Sequence, residues 1–152
     1  MNNSLAKLSA TFFYLGYFPF AAGSIASAIG GLMAITLAGN MFLYFVVFAV
    51  VTAVGFGASG WLEKVLGEKD PSCIVIDEVS GALIAFFLLP ARWPVLITAF
   101  FVFRAFDMFK IYPADVLEEK TGGVGVMMDD IVAGVYTNLI MQCAVRLAGI
   151  AS

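Results

Sequence analysis

Apolar residues in this chain run in long stretches rather than alternating with polar ones. Five such stretches, separated by segments with glycine, proline or charged residues, approach the length of a membrane crossing, about 20 residues. Helices are expected because a membrane span must satisfy its own backbone hydrogen bonds, and the alternation of a barrel strand is absent. The predicted spans are roughly 23–38, 41–62, 74–89, 94–111 and 124–147.

This pattern predicts an all-α protein, a polytopic membrane helix bundle of about five spans. The first stretch is short and glycine-rich, so a re-entrant or partly unwound helix is an alternative to a full crossing. The 152 residues leave room only for these spans and short loops, which predicts a single membrane-embedded domain over residues 1–152.

Composition supports the same class. Hydrophobic residues make up 62% of the chain and charged residues 12%, whereas soluble domains average about 45–50% and about 25%. The net charge of −3 and the absence of a run of lysine and arginine exclude a basic surface for nucleic acid. We therefore expect an integral membrane protein with no nucleic-acid partner.

Five carboxylates lie near the edges of three apolar stretches: Asp77 and Glu78, Asp107, and Asp129 and Asp130. An ionised acid inside a membrane costs about 2.5 kcal/mol or more near the centre, so such residues indicate a function. If the spans alternate in direction, the start of the third, the end of the fourth and the start of the fifth share one side. The five carboxylates are thus predicted to converge at one membrane face.

The basic residues predict which face this is. Six lie on the acid-bearing side and two on the other, and such residues favour the cytoplasmic side. The acidic face is therefore expected to be cytoplasmic. The first set is Lys7, Lys64, Lys69, Arg104, Lys110 and Lys120, and the second is Arg92 and Arg146.

Neighbouring acids point to a metal. Like charges in a poorly hydrated site repel, so one acid takes up a proton unless a cation compensates it. Oxygen ligands without any histidine favour a hard cation such as Mg²⁺, which commonly bridges carboxylate and phosphate. The predicted ligands are Asp77, Glu78, Asp107, Asp129 and Asp130.

The nucleophile and the class of function have alternatives at this point. Metal-activated water and an acid nucleophile both remain open. An ion-coupled transporter or channel is the rival hypothesis, and it predicts acids spread through the membrane depth.

Candidate anion-binding groups accompany the acids. Arg104, Asp107 and Lys110 follow at i, i+3 and i+6, which predicts either a local ion pair or a mixed site whose cations hold an anion. Glycine-containing turns feed two helix N-termini, where free N–H groups favour anions, although a turn alone also explains them. The candidate substrate-binding residues are Arg104, Lys110, Gly23, Ser24, Gly122 and Gly123.

Small residues suggest close helix packing. The segment from Gly55 to Gly60 matches G-x-G-x-x-G, but it lies inside an apolar helical run and lacks the strand that a dinucleotide site requires. Gly23, Ser27 and Gly31 form a second small-residue stripe with the same expected role. Asn138 is expected to form an interhelical hydrogen bond.

The chain resembles the phosphatidylglycerophosphatase A family. Three blocks match in order and at similar spacing, IVIDEVSG (74–81), FRAFDMFKIYP (103–113) and GGVGVMMDDIVAG (122–134), with a weaker match at FPFAAGSIAS (18–27). Two positions depart from the family pattern: Ala22-Gly23-Ser24 replaces Pro-Gly-Thr, and Lys110-Ile111-Tyr112-Pro113 replaces Lys-Pro-Trp-Pro. These departures affect the shape of the pocket more than the reaction.

The resemblance implies a catalytic domain that removes the terminal phosphate of phosphatidylglycerophosphate, with Mg²⁺, to give phosphatidylglycerol and phosphate. It implies a multi-pass protein of the bacterial cytoplasmic (inner) membrane. The family's acidic and basic residues correspond to the carboxylates and basic residues named above as metal and anion ligands. The expected catalytic residues are Asp129, Asp130, Asp77 and Arg104. Asp70 also falls where such proteins often carry an acid.

Overall fold

The computed structural model describes residues 3–118 and 120–150. Over this part of the chain the fold consists of helices and turns without a strand, which confirms the all-α prediction. The α-helices are α1 (Asn3–Ala10), α2 (Ala22–Leu37), α3 (Met41–Leu66), α4 (Ile76–Ala85), α5 (Trp93–Phe109), α6 (Ala114–Glu118) and α7 (Gly123–Leu147), with a 3₁₀ turn at Leu15–Tyr17.

Two helices, α3 and α7, are long and apolar enough to cross a membrane. With 26 and 25 residues, each extends about 38 Å at about 1.5 Å per residue, beyond the roughly 30 Å of a hydrocarbon core. Apolar side chains on α3 face outward, such as Phe42, which is 79% exposed. This surface suits lipid contact better than a soluble exterior.

The other predicted spans form shorter helices. α2 has 16 residues and α5 has 17, so each extends about 25 Å. The clearest difference lies in the third predicted span, 74–89, where α4 has only 10 residues and extends about 15 Å. The chain leaves the helix after Ala85 and adopts a left-handed conformation at Leu88, with a φ of 55°, before Pro90 excludes any further helical turn.

Side-chain amides of α7 cap the C-terminal end of α4. Asn138 Nδ2 donates to the carbonyl oxygens of Ala85 at 3.2 Å and Phe87 at 2.7 Å. Gln142 Nε2 donates to those of Phe87 at 3.1 Å and Leu88 at 3.2 Å. These bonds satisfy carbonyls that the helix leaves without partners. The interhelical role predicted for Asn138 is confirmed, and that of Gln142 was missed.

α4 is the central helix of the bundle. It packs most extensively against α7 and α2, with α3 and α5 beside it. Most of its side chains are buried, including those of Val79 and Leu83. The first turn of this helix therefore lies largely in the interior of the protein.

Glycines allow close contact between α3 and α7. A Cβ atom added to Gly60 would lie 2.7 Å from the backbone nitrogen of Gly123, and one added to Gly123 would overlap the carbonyl oxygen of Phe56. Gly55 similarly faces the Met127 side chain, with 2.6 Å from an added Cβ to Cε. The packing role predicted for the G-x-G-x-x-G segment is confirmed at Gly55 and Gly60.

A second close contact joins α4 and α7. A Cβ atom on Gly81 would lie 2.6 Å from the carbonyl oxygen of Asp130, and one on Gly134 would overlap that of Gly81. The two backbones therefore touch where α7 carries an acid.

Replacing Gly134 by alanine is expected to force α4 and α7 apart, because the new methyl group overlaps backbone that cannot move alone. Overpacking of this kind costs roughly 1–3 kcal/mol, so the midpoint of thermal unfolding in detergent should fall. Gly57→Ala is the matched control, because an added Cβ there meets nothing within 4 Å. Equal midpoints for the two variants would contradict this account.

Candidate active site

The site forms where four helix ends meet. The first turn of α4 carries Asp77 and Glu78, and the second turn of α7 carries Asp129 and Asp130. α2 contributes its first turns, and α5 contributes Arg104 and Asp107 near its end.

Three of these acids form a compact group. One carboxylate oxygen from each of Asp77, Glu78 and Asp130 lies within 4.8 Å of the others. Asp77 is 6% exposed and Asp130 is 2% exposed. We call these residues the three-carboxylate group.

Two oxygens of this group have no hydrogen-bond partner among residues 3–118 and 120–150: Glu78 Oε2 and Asp130 Oδ1, both buried. Buried acceptors normally have donors, and buried like charges without compensation are strongly destabilising. A set of ligands made only of carboxylate oxygens at this spacing fits a hard divalent cation such as Mg²⁺.

Arg104 lies beside the three-carboxylate group and links three helices. Its Nη1 atom is 2.5 Å from Asp107 Oδ2, 3.4 Å from Ser27 Oγ and 3.9 Å from Glu78 Oε1. The local pair with Asp107 is therefore present, but the guanidinium also reaches α2 and α4. Its Nε atom is buried without an acceptor in the described part of the chain, so this donor can serve an anionic ligand.

Lys110 organises a second set of charges. Its Nζ atom lies 3.0 Å from Asp129 Oδ2 and 3.8 Å from Asp70 Oδ2. Lys110 caps the end of α5 with a φ of 45°, which turns the chain after the helix. Asp129 and Asp107, both predicted as metal ligands, thus lie in ion pairs with Lys110 and Arg104.

The structure separates the predicted glycine-containing turns. Gly23 borders the site, because an added Cβ would overlap Glu78 Oε1 and lie 3.4 Å from Arg104 Nη1. Ser24 is half-buried in the same turn. Gly123 instead contacts Phe56 of α3, and Gly122 lies nearest to Glu63. These two glycines are about two helical turns from Asp130, since the start of α7 packs against α3.

Sequence reasoning missed Ser27 as a member of the site. Its hydroxyl donates to the carbonyl oxygen of Gly23 at 2.7 Å and accepts from Arg104. It is fully buried. The available signal was that Ser27 is the polar member of an otherwise apolar stripe.

Comparisons with known proteins identify a family through a family model and two of the relatives that match. The family model described as phosphatidylglycerophosphatase A matches residues 8–145. A Bacteroides thetaiotaomicron protein provisionally named phosphatidylinositol-3-phosphatase is 35% identical, over 92% of this chain and 93% of its own length. The phosphatidylglycerophosphatase A of Haemophilus influenzae is 32% identical over 78% of this chain and 74% of its own.

The phosphatidylglycerophosphatase A of Escherichia coli is 35% identical over 62% of this chain and 56% of its own length. No solved structure matches. The chain therefore belongs to the phosphatidylglycerophosphatase A family and is an enzyme of the phosphatase class.

Gly23→Ala is expected to impair the site without unfolding the protein. The new methyl group would displace the flexible Glu78 carboxylate from the three-carboxylate group. Phosphate release should fall by at least about 10-fold, because the displaced Glu78 belongs to the three-carboxylate group itself, and loss of a mere supporting partner at a metal site already costs roughly 10- to 100-fold. Thermal unfolding should stay close to that of wild type, with Gly57→Ala as the control. Full activity would show that the Gly23 contact is dispensable.

Proposed function

We propose that this member of the phosphatidylglycerophosphatase A family hydrolyses the terminal phosphate of phosphatidylglycerophosphate to phosphatidylglycerol and phosphate, with Mg²⁺. We further propose a bacterial inner membrane location, with the site on the cytoplasmic face. The observation that carries the proposal is the three-carboxylate group beside Arg104.

The charges of the site explain why a cation is needed. The five predicted acids outnumber the two bases, Arg104 and Lys110, so the site alone repels an anionic substrate. Asp77, Glu78 and Asp130 are the residues that would hold Mg²⁺. When bound, the ion would polarise the phosphoryl oxygens and lower the pKa of a bound water.

The basic residues would hold the phosphate. Arg104 presents a fork of donors that can grip two phosphate oxygens, and its Nε atom has no acceptor in the described part of the chain. Asp107 and Ser27 fix the orientation of the guanidinium. Phosphate monoesters hydrolyse extremely slowly uncatalysed, so positioning and charge neutralisation would supply most of the acceleration.

The rival transporter or channel hypothesis gains no support from the comparisons, since the relatives bear phosphatase names. A specific observation does favour a second lipid substrate. The relative named for phosphatidylinositol 3-phosphate aligns with 92% of this chain. Both lipids present a phosphate monoester on an anionic headgroup, which the same site could bind.

Phosphate release from a panel of lipids tests the function. Purified protein should act on phosphatidylglycerophosphate with a higher kcat/KM than on phosphatidylinositol 3-phosphate or phosphatidic acid. Chelation should abolish turnover and Mg²⁺ should restore it. A preference for the phosphoinositide would reassign the substrate, and full activity in chelator would refute metal dependence.

Asp130→Asn sharpens this experiment. Loss of a ligand should lower kcat/KM by more than the roughly 10- to 100-fold that loss of an outer-shell partner costs. Asp115→Asn is the matched control, because Asp115 is exposed on α6. Comparable activity in the two variants would remove Asp130 from the proposed metal site.

Arg104→Lys is expected to be damaging although it preserves the charge. A lysine cannot reproduce the planar fork, and loss of one charge-assisted hydrogen bond, about 1.5–3 kcal/mol, corresponds to roughly tenfold or more in kcat/KM. Arg146→Lys, exposed near the end of α7, is the control. Wild-type kcat/KM in both variants would make the Arg104–Asp107 pair merely structural.

The proposed orientation can be tested by labelling single cysteines at positions 69, 120 and 92, in a protein without Cys73 and Cys143. An impermeant reagent outside intact cells should label position 92 alone, because the asymmetry of basic residues places Lys69 and Lys120 inside. Labelling of position 69 or 120 would reverse the proposed topology.

A further inference from the structure

We propose that the groove between α2 and α5 binds one acyl chain of the lipid substrate. This inference rests on the proposed function and extends it from the phosphate to the lipid tail. The groove has a volume of about 370 Å³, within the range of small-molecule sites.

The lining of the groove is predominantly apolar. Leu32 of α2 and Ile97 and Phe101 of α5 form its walls, and all three are more than half exposed. Phe86, which follows α4, closes the floor, and a Cβ on Gly31 would lie 3.0 Å from the Phe86 ring. The absence of a side chain at Gly31 therefore keeps the groove deep.

The groove begins close to the candidate active site along both helices. It begins on α2 at Ala28, next to Ser27, whose hydroxyl contacts Arg104. On α5 it begins at Phe101, one turn before Arg104. A lipid whose phosphate is held by Arg104 would thus have its glycerol part at the opening of this groove.

The geometry suits an extended hydrocarbon chain. From Ala28 to Ile35 the groove follows α2 for about 10 Å, and from Phe101 to Trp93 it follows α5 for about 12 Å, at about 1.5 Å per residue. It runs away from the acidic residues. Because lipid tails are as apolar as the groove, a preference for a long-chain substrate would come from packing contacts with the groove walls and not from removal of the chain from water.

Filling the groove tests the proposal. Ala28 is exposed at its opening, and Ala28→Phe should obstruct it, whereas Ala49→Phe, at an exposed position on α3 outside the groove, is the matched control. Phosphate release would be measured with dioleoyl and dihexanoyl phosphatidylglycerophosphate in detergent. The ratio of kcat/KM for the long-chain to the short-chain substrate should fall about tenfold in Ala28→Phe, a difference of about 1.4 kcal/mol, and stay unchanged in Ala49→Phe.

An unchanged ratio in Ala28→Phe would overturn the inference while leaving the proposed function intact. Failure of the wild-type protein to release phosphate from either lipid would instead refute the function. If Ala28→Phe is inactive on both substrates, the wild-type protein is photo-cross-linked instead. The probe is phosphatidylglycerophosphate that carries a photoactivatable acyl chain. Cross-links to α2 and α5 support the groove, and cross-links confined to other helices exclude it.

Discussion

The backbone contact between α4 and α7 is the constraint on which the candidate site depends. Gly81 lies against the carbonyl oxygen of Asp130, and Gly134 lies against that of Gly81. Side chains at these positions would separate the helices. The contact holds the first turn of α4 beside the second turn of α7, so Asp130 comes within 4.8 Å of Asp77 and Glu78. The short length of α4 belongs to the same arrangement, because Asn138 and Gln142 of α7 cap its other end.

This contact brings together charges that repel one another, and the surrounding helices compensate only part of the repulsion. The positive end of the α4 dipole favours acids in its first turn, where Asp77 and Glu78 lie. Arg104 and Lys110 pair with Asp107 and Asp129, which removes two acids from the uncompensated set. The remaining three carboxylates keep partnerless oxygens at Glu78 and Asp130. Asp107 and Asp129 are thus the acids most closely paired with bases, whereas Asp77, Glu78 and Asp130 keep oxygens that would be available to a cation, although Glu78 also lies 3.9 Å from Arg104.

Sequence reasoning reached the helical class and the acidic residues, but it treated neighbouring acids as units. Consecutive residues on a helix point about 100° apart, so Asp129 faces Lys110 while Asp130 faces α4. That division depends on which helices lie on each side, which one sequence does not reveal. Hydropathy likewise could not show that the apolar run 74–89 contains only ten helical residues. Its carbonyls find partners through tertiary contacts with Gln142, which periodicity does not encode.

Discrimination between lipid phosphates must arise outside the phosphate-binding groups, because a carboxylate-held cation and an arginine suit any phosphate monoester. The segment after α5 is placed to contribute. Ile111 is 47% exposed and Tyr112 is 71% exposed, and they follow Lys110, which reaches Asp129. Tyr136 donates to the carbonyl oxygen of Tyr112 at 2.9 Å, which anchors this turn to α7. Both residues stand where the sequence departs from the family pattern. We therefore expect variation at this turn to change the headgroup that is accepted while the charged groups proposed to bind phosphate stay the same.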